Sequence, residues 1–376
     1  MPVKKSTQME IRQINRNRIY DYLYKNQDPI SKQSIANALS ISFPTVLQNV
    51  KELIDQGLVM ETGAFDSTGG RKAKAIAFNN TARFSIGLDV TSNHVGIVII
   101  DLTGNVIANE RLKCPFSHSD SYYKSVGALI EKVIMQSSLD RSKILGVGIA
   151  VPAIVSEDHQ RLTYSSVLGN KGITLNDFAR FIEFPCVFCN DANAAGFAET
   201  WNSDSISTAV YLSLNNSVGG SILMGNAISY GRNQRGGEIG HMTIVPEGRL
   251  CYCGKKGCVD AYCSARILSD STDGNLKLFF DLLHEKKERQ IKIWNEYLYY
   301  LTITLNNLRM IFDYDVIIGG YVGAYMNQYI DQLREMAAER NTFERDGSYL
   351  RVCNYQLEAT AVGAALQYIN EFIKSV

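Results

Sequence analysis

FSIGLDVTSNHVGIVIIDLTGNVIA, residues 84–108, reads as strand, polar turn, strand, a short Gly-Asn link and another strand. Further along, TAVYLSLNNSVGGSILMGNAIS, residues 208–229, runs through the same order. Strands and helices alternate from residue 82 onward, the texture of an α/β protein. The echo predicts two lobes, each opening on the same hairpin, with a cleft between them.

A chain of 376 residues exceeds one hydrophobic core, and 45% apolar with 20% charged residues is the balance of a folded globular protein. The opening MPVKKSTQMEIRQINRN has no apolar core, and the run VGIVII (95–100) is too short to cross a bilayer, so a cytoplasmic protein with no membrane contact is expected. Eight cysteines without an export signal imply reduced thiols. The 38 basic and 38 acidic residues cancel, yet residues 1–80 hold eleven Lys/Arg against seven Asp/Glu. That excess points to an anionic partner for the front end alone.

Within the front end, Ile11, Ile14, Ile19 and Leu23 recur at near-helical spacing, and Pro29 with Ser31 marks a stop and a new N-cap. SKQSIANALS, a break at Ile41-Ser42, and FPTVLQNVKELIDQGLV follow. Ile35, Ala36, Leu39, Val46, Val50, Leu53 and Ile54 can share one core, which is a helix-turn-helix pattern. Its second helix would lie in a DNA major groove, with Thr45, Gln48 and Asn49 facing base edges and Lys51 a phosphate. Two short strands then flank a Gly-Gly turn carrying Arg71, Lys72 and Lys74, a wing able to lay an arginine along a minor groove.

The stretch GHMTIVPEGRLCYCGKKGCVD (240–260) places His241, Cys251, Cys253 and Cys258 close together. Three cysteines interleaved with Gly254, Lys255, Lys256 and Gly257 make a poor core segment and a good metal loop. Three thiolates and an imidazole fill a tetrahedral zinc shell with no open position for water, so a structural zinc is expected; Cys263 is the alternative ligand.

Several strings resemble the ROK family, named for repressors, open reading frames and kinases. IRQINRNRIYDYLY, PISKQSIANALSISFPTVLQNVKELIDQGLV and STGGRKAKAIAFN are similar to the winged helix of its repressors, which control sugar-utilisation genes. CNDANAAGFAE (189–199) resembles the family's Asn-Asp-Ala-Asn motif, GGEIGH (236–241) its Glu and His pair, VIIGGYVG (316–323) its Gly-Gly stretch, and ATAVGAALQYI (359–369) its closing helix. The resemblance implies an actin-like, sugar-kinase-like (ribonuclease H-like) ATPase fold. It also implies sugar contacts from Asn190, Asp191, Glu238 and His241, zinc ligation by His241 and exclusion of Cys263 from the shell. Asp191 matches the kinase base position. Asp260 stands where the family has glutamate, one methylene longer, and is expected to accept sugar hydroxyls. Val151-Pro152-Ala153 and Gly169-Asn170-Lys171-Gly172 fall where the family lines its sugar pocket. The phosphate cradles depart from the kinase pattern: Thr91 and Ser92 replace two glycines, and Asn215 and Ser217 disturb the second turn.

The expected architecture is therefore a winged helix-turn-helix over residues 1–80, a first α/β lobe over 81–200 closed by a C-terminal helix at 359–376, and a second lobe over 201–358 bearing the zinc loop. The expected function is a sugar-responsive transcriptional regulator, a repressor without required catalysis. It would bind a palindromic double-stranded operator as a homodimer or dimer of dimers and answer to a monosaccharide effector. The rival readings are an ATP-dependent sugar kinase that kept its DNA-binding domain, and a constitutive DNA-binding protein whose body only dimerises. Neither the sugar nor the operator is legible.

Overall fold

A computed structural model describes residues 8–26, 28–64, 74–169, 172–201, 206–225, 227–355 and 358–376. The front end is helical first: Gln8–Lys25, Lys32–Leu39 and Phe43–Asp55. Ser31 caps the second helix by accepting from Ser34 N at 3.0 Å, and Ser42 caps the third by accepting from Thr45 N at 3.3 Å. Between them Ser40 takes a left-handed φ of 52°, which makes the tight turn. Val59–Ala64 and Lys74–Phe78 pair antiparallel behind these helices, with Ile30–Ser31 as a third short strand. The wing tip, with Arg71 and Lys72, lies outside the described residues.

Ile35, Ala36, Val46, Val50 and Leu53 are buried together, as the pattern predicts. In the first helix Ile19 and Leu23 are buried but Ile11 and Ile14 are half exposed. The five-residue step from Ile14 to Ile19 turns the helix by about 140°, which takes Ile14 off the buried face.

The body holds two five-stranded sheets of one topology. In the first, Phe84–Val90 pairs antiparallel with His94–Asp101 and parallel with Ile144–Val151; Val106–Lys113 and Cys186–Asn190 form the edges. In the second, Ala209–Leu214 pairs antiparallel with Val218–Met224 and parallel with Asp315–Gly319, with Ala227–Ile228 and Leu350–Val352 at the edges. The repeated hairpin seen in the sequence is thus the first two strands of each sheet. The row Trp294, Leu298, Leu301, Leu305 and Leu308 on helix Glu288–Phe312 packs into the second lobe's core.

The final helix, Ala359–Ser375, returns to the first sheet. Its backbone lies against the strands so closely that a Cβ on Gly87 would stand 1.8 Å from Ala361 O, and one on Gly148 2.0 Å from Ala364 O. Only glycine permits that approach. The same helix docks the front end: Leu366, Ile369 and Val376 share a core with Ile19, Tyr20 and Leu23, and Val376 O accepts from Gln13 Nε2 at 2.7 Å and Arg16 Nε at 2.8 Å.

Candidate functional site

Asn190 ends a strand of the first sheet, and helix Asp191–Thr200 begins at once. The cap of that helix is Asn190, whose Oδ1 accepts from Asn193 N at 3.0 Å while its Nδ2 donates to Ala153 O at 3.1 Å. Asp191 is thereby left to face the cleft, with one oxygen accepting from Ala192 N at 2.9 Å. Burial, reinforced by the charge of Asp89, pushes its carboxyl up to about 7. Asp89 is itself raised to about 6 by burial, against the pull of Arg111.

Asp191 lines a cavity of about 400 Å³ between the lobes, with Asn190, Glu238, His241, Tyr252 and Ser217 around it and Pro152, Ala153 and Val218 as apolar wall. That size and mixture suit a small polyhydroxylated ligand. Burial raises the Glu238 carboxyl above its ordinary range. Its Oε2 stands 4.0 Å from His241 Nε2, which also lies 3.3 Å from the Tyr252 hydroxyl.

The other ring nitrogen of His241, Nδ1, is buried with no hydrogen-bond partner. The donor atoms of His241, Cys251, Cys253 and Cys258 lie within 4.8 Å of one another. The loop is folded tightly around them: Cys251 N donates to Lys255 O at 2.8 Å, and Gly254 N to Cys251 O at 2.9 Å. Burial first, then the neighbouring Cys253, Cys258 and Asp260, push the Cys251 thiol up to about 12, so a thiolate there calls for a cation beside it. An orphaned imidazole nitrogen among three sulfurs fits a closed zinc shell. Cys263 is fully buried in the second lobe's core and stands apart from this cluster.

Asp260 does not join the cavity lining. Its side chain is buried: Oδ2 accepts from Val218 N at 2.6 Å, at the start of a strand that lines the cleft, and Oδ1 lies 3.9 Å from Arg266 Nη2, so the structure engages the shorter carboxylate with the strand while the expected sugar contact stays a proposal. Asn170 and Lys171 lie outside the described residues. Tyr252, absent from the expected set, sits between two cysteines of the CysXCys pattern and lines the cavity against His241, its ring centroid 5.4 Å from the imidazole.

A second cavity of about 210 Å³ adjoins the first and shares Asp191 and Ser217 with it. Here a polar side chain of each hairpin turn takes up a backbone amide. Thr91 Oγ1 accepts from His94 N at 2.9 Å, and Asn215 Oδ1 accepts from Tyr321 N at 2.8 Å. Arg111 of the first lobe reaches across to Tyr321 of the second, donating to its hydroxyl at 2.6 Å with the guanidinium over the ring. Thr91 thus holds an amide of the first turn and Asn215 an amide of the Gly-Gly stretch, and the two lobes are bridged by side chains of the chain itself.

In the front end, Gln48 and Lys51 are exposed and Thr45 half-buried. Asn49 is only 1% exposed and its Nδ2 donates to Thr45 O at 2.8 Å, so the expectation of a base contact from Asn49 is corrected. It lies between the buried Val46 and Val50 on the inner side of the helix. Lys74 is paired with Glu61.

A two-lobed sugar-kinase-like body carrying a winged helix defines the class of protein. Residues 85–370 match the ROK family and residues 12–60 match a winged helix-turn-helix DNA-binding family. The chain belongs to the ROK family. It is 26% identical over 316 residues to the xylose repressor of Bacillus spizizenii, covering 82% of both chains. It is 25% identical over 254 residues to the DNA-binding transcriptional dual regulator NagC of Escherichia coli, covering 66% of this chain and 62% of that one. Its fold is similar to a ROK family transcriptional regulator homologous to Escherichia coli MLC, with a TM-score of 0.75, 20% identity and 97% of each chain covered. The ROK glucokinase of Streptomyces griseus, solved with glucose and AMPPNP, matches at a TM-score of 0.63 and 20% identity, over 76% of this chain and 98% of that one.

Proposed function

We propose that this chain is a sugar-responsive DNA-binding transcriptional regulator, a repressor of carbohydrate-utilisation genes released by a monosaccharide bound between the lobes. One observation carries the reading: a single helix joins the cleft to the winged helix. Ala359 and Thr360, at its start, line the second cavity beside Asp191, and Val376, at its end, is held by Gln13 and Arg16. Ligand-driven movement of the lobes is thus delivered to the DNA-reading head. Relatives bearing repressor names support the reading as a repressor.

Asn190, Asp191, Glu238 and His241 would hold the sugar hydroxyls, Asp191 and Glu238 as acceptors. Zinc would be held by His241, Cys251, Cys253 and Cys258, supplying charge and rigidity to the loop that presents Glu238, with no step of chemistry. A protein acting at a palindromic operator from the cytoplasm would do so as a homodimer or dimer of dimers. Among the described residues no helix is long and apolar enough to cross a membrane. The kinase alternative is favoured by Asp191 at the base position and opposed by Thr91 and Ser92 in place of the two cradle glycines and by Asn215 and Ser217 in the second turn.

Calorimetry with xylose, glucose and N-acetylglucosamine, each with and without ATP, separates the readings. A regulator binds one sugar without turning over ATP, in preparations carrying one zinc per chain. Phosphorylation of the sugar at an enzymatic rate would establish the kinase instead, and binding of neither would leave a scaffold.

A further inference from the structure

The helix Phe43–Asp55 has two apolar faces, and only one of them is used. Val46, Val50 and Leu53 are fully buried in the head, whereas Phe43 is 40% and Leu47 42% exposed. These two lie one turn apart on one ridge, with Lys51 a further turn along and Gln48 beside them, all exposed. Phe43 is the first residue of the helix, fixed by the Ser42 cap, and in a helix-turn-helix the N-terminal residues of this helix meet the base edges. Two large apolar side chains held there face a groove that offers one apolar feature, the C5-methyl group of thymine.

We propose that Phe43 and Leu47 read thymine methyl groups in the major groove, so that the half-site is specified partly by apolar contact. Gln48 supplies hydrogen bonding beside them and Lys51 a phosphate contact. Asn49 contributes nothing to base reading, because its amide is turned inward to Thr45 O. The proposal rests on the DNA-binding reading above and adds which chemistry of the duplex is recognised.

The full chain first selects its own duplex from a random pool. That duplex is then remade with deoxyuridine in place of thymidine at one position at a time, which removes a methyl group and leaves every hydrogen bond intact. Fluorescence anisotropy at fixed salt reads the affinity. At one or two positions per half-site, wild type should lose roughly four-fold per methyl, the factor for one buried methyl-sized group. Phe43→Ala and Leu47→Ala should bind more weakly and no longer sense the substitution at the position each reads. A flat deoxyuridine scan with wild type overturns the proposal, and needs no variant. So does a methyl effect that persists in both variants, or a flat scan in which the variants instead lower the oligomeric state, which would make the ridge a contact between copies. If no duplex is selected, the DNA-binding reading falls and this one with it.

Discussion

Asp89 and Asp191 are two half-buried carboxyls in one cleft, raised to about 6 and about 7 by desolvation, and for Asp191 next by the charge of Asp89. A carboxyl with a higher pKa folded than unfolded binds more protons in the native state, so its contribution to stability is complete below about pH 4 and is lost as pH rises through the folded value. The melting temperature of the sugar-free protein should therefore fall between about pH 5 and pH 8. Asp89→Asn and Asp191→Asn should each flatten that fall. A wild-type melting temperature that rises over this window would show that the pair is solvated. The motif CNDANAAGFAE made Asp191 legible through its resemblance to the family, whereas the capping role of Asn190, which frees the carboxylate, shows only in the fold. Asp260 was not legible in the same way. One missing methylene is visible in a sequence, but the backbone amide of Val218 that captures the shortened side chain is forty-two residues away.

At the scale of elements, helix Asp191–Thr200 has a carboxylate at each end. Asp191 faces the cleft, while Glu199, buried, accepts from Asn354 N at 2.7 Å and Tyr355 N at 2.9 Å, in the segment that leads to the closing helix. Midway, the closing helix lies so near that a Cβ on Gly363 would stand 1.7 Å from Ala194 O. In the function proposed here, sugar bound at Asp191 would act on an element clamped to the strut beneath the DNA head. Glu199→Ala should cost about 1–3 kcal/mol for each amide it leaves unpaired. It should also weaken the response of DNA affinity to sugar while leaving sugar affinity within a few-fold, and Glu199→Gln, which keeps one acceptor, should recover part of both. An unaltered DNA response in Glu199→Ala would remove this clamp from the coupling route. The element order was readable because hairpin alternation and helical spacing are local signals. The Arg111–Tyr321 bridge was not, because it joins two lobes 210 residues apart. Asn49 was misjudged for a related reason: a polar residue on a helix reads as outward until the carbonyl that satisfies it is seen.

For the whole molecule, the account needs the cleft and the head to be one thermodynamic system. The first lobe, the closing helix and the winged helix share a continuous core through Leu102, Leu366, Ile369 and Ile19, so the head cannot ignore the position of that helix. A useful switch requires the sugar to prefer the DNA-free form by about 1–3 kcal/mol, which is roughly 5- to 150-fold in affinity. By reciprocity, DNA must weaken sugar binding by the same factor. The most direct measurement is titration of the protein bound to its selected duplex with the monosaccharide identified by calorimetry, for wild type and Asp191→Asn. The account predicts that saturating sugar lowers the wild-type affinity for DNA by a factor in that range and leaves the Asp191→Asn affinity unchanged. Sugar that fills the cleft of wild type without altering its hold on DNA would contradict it.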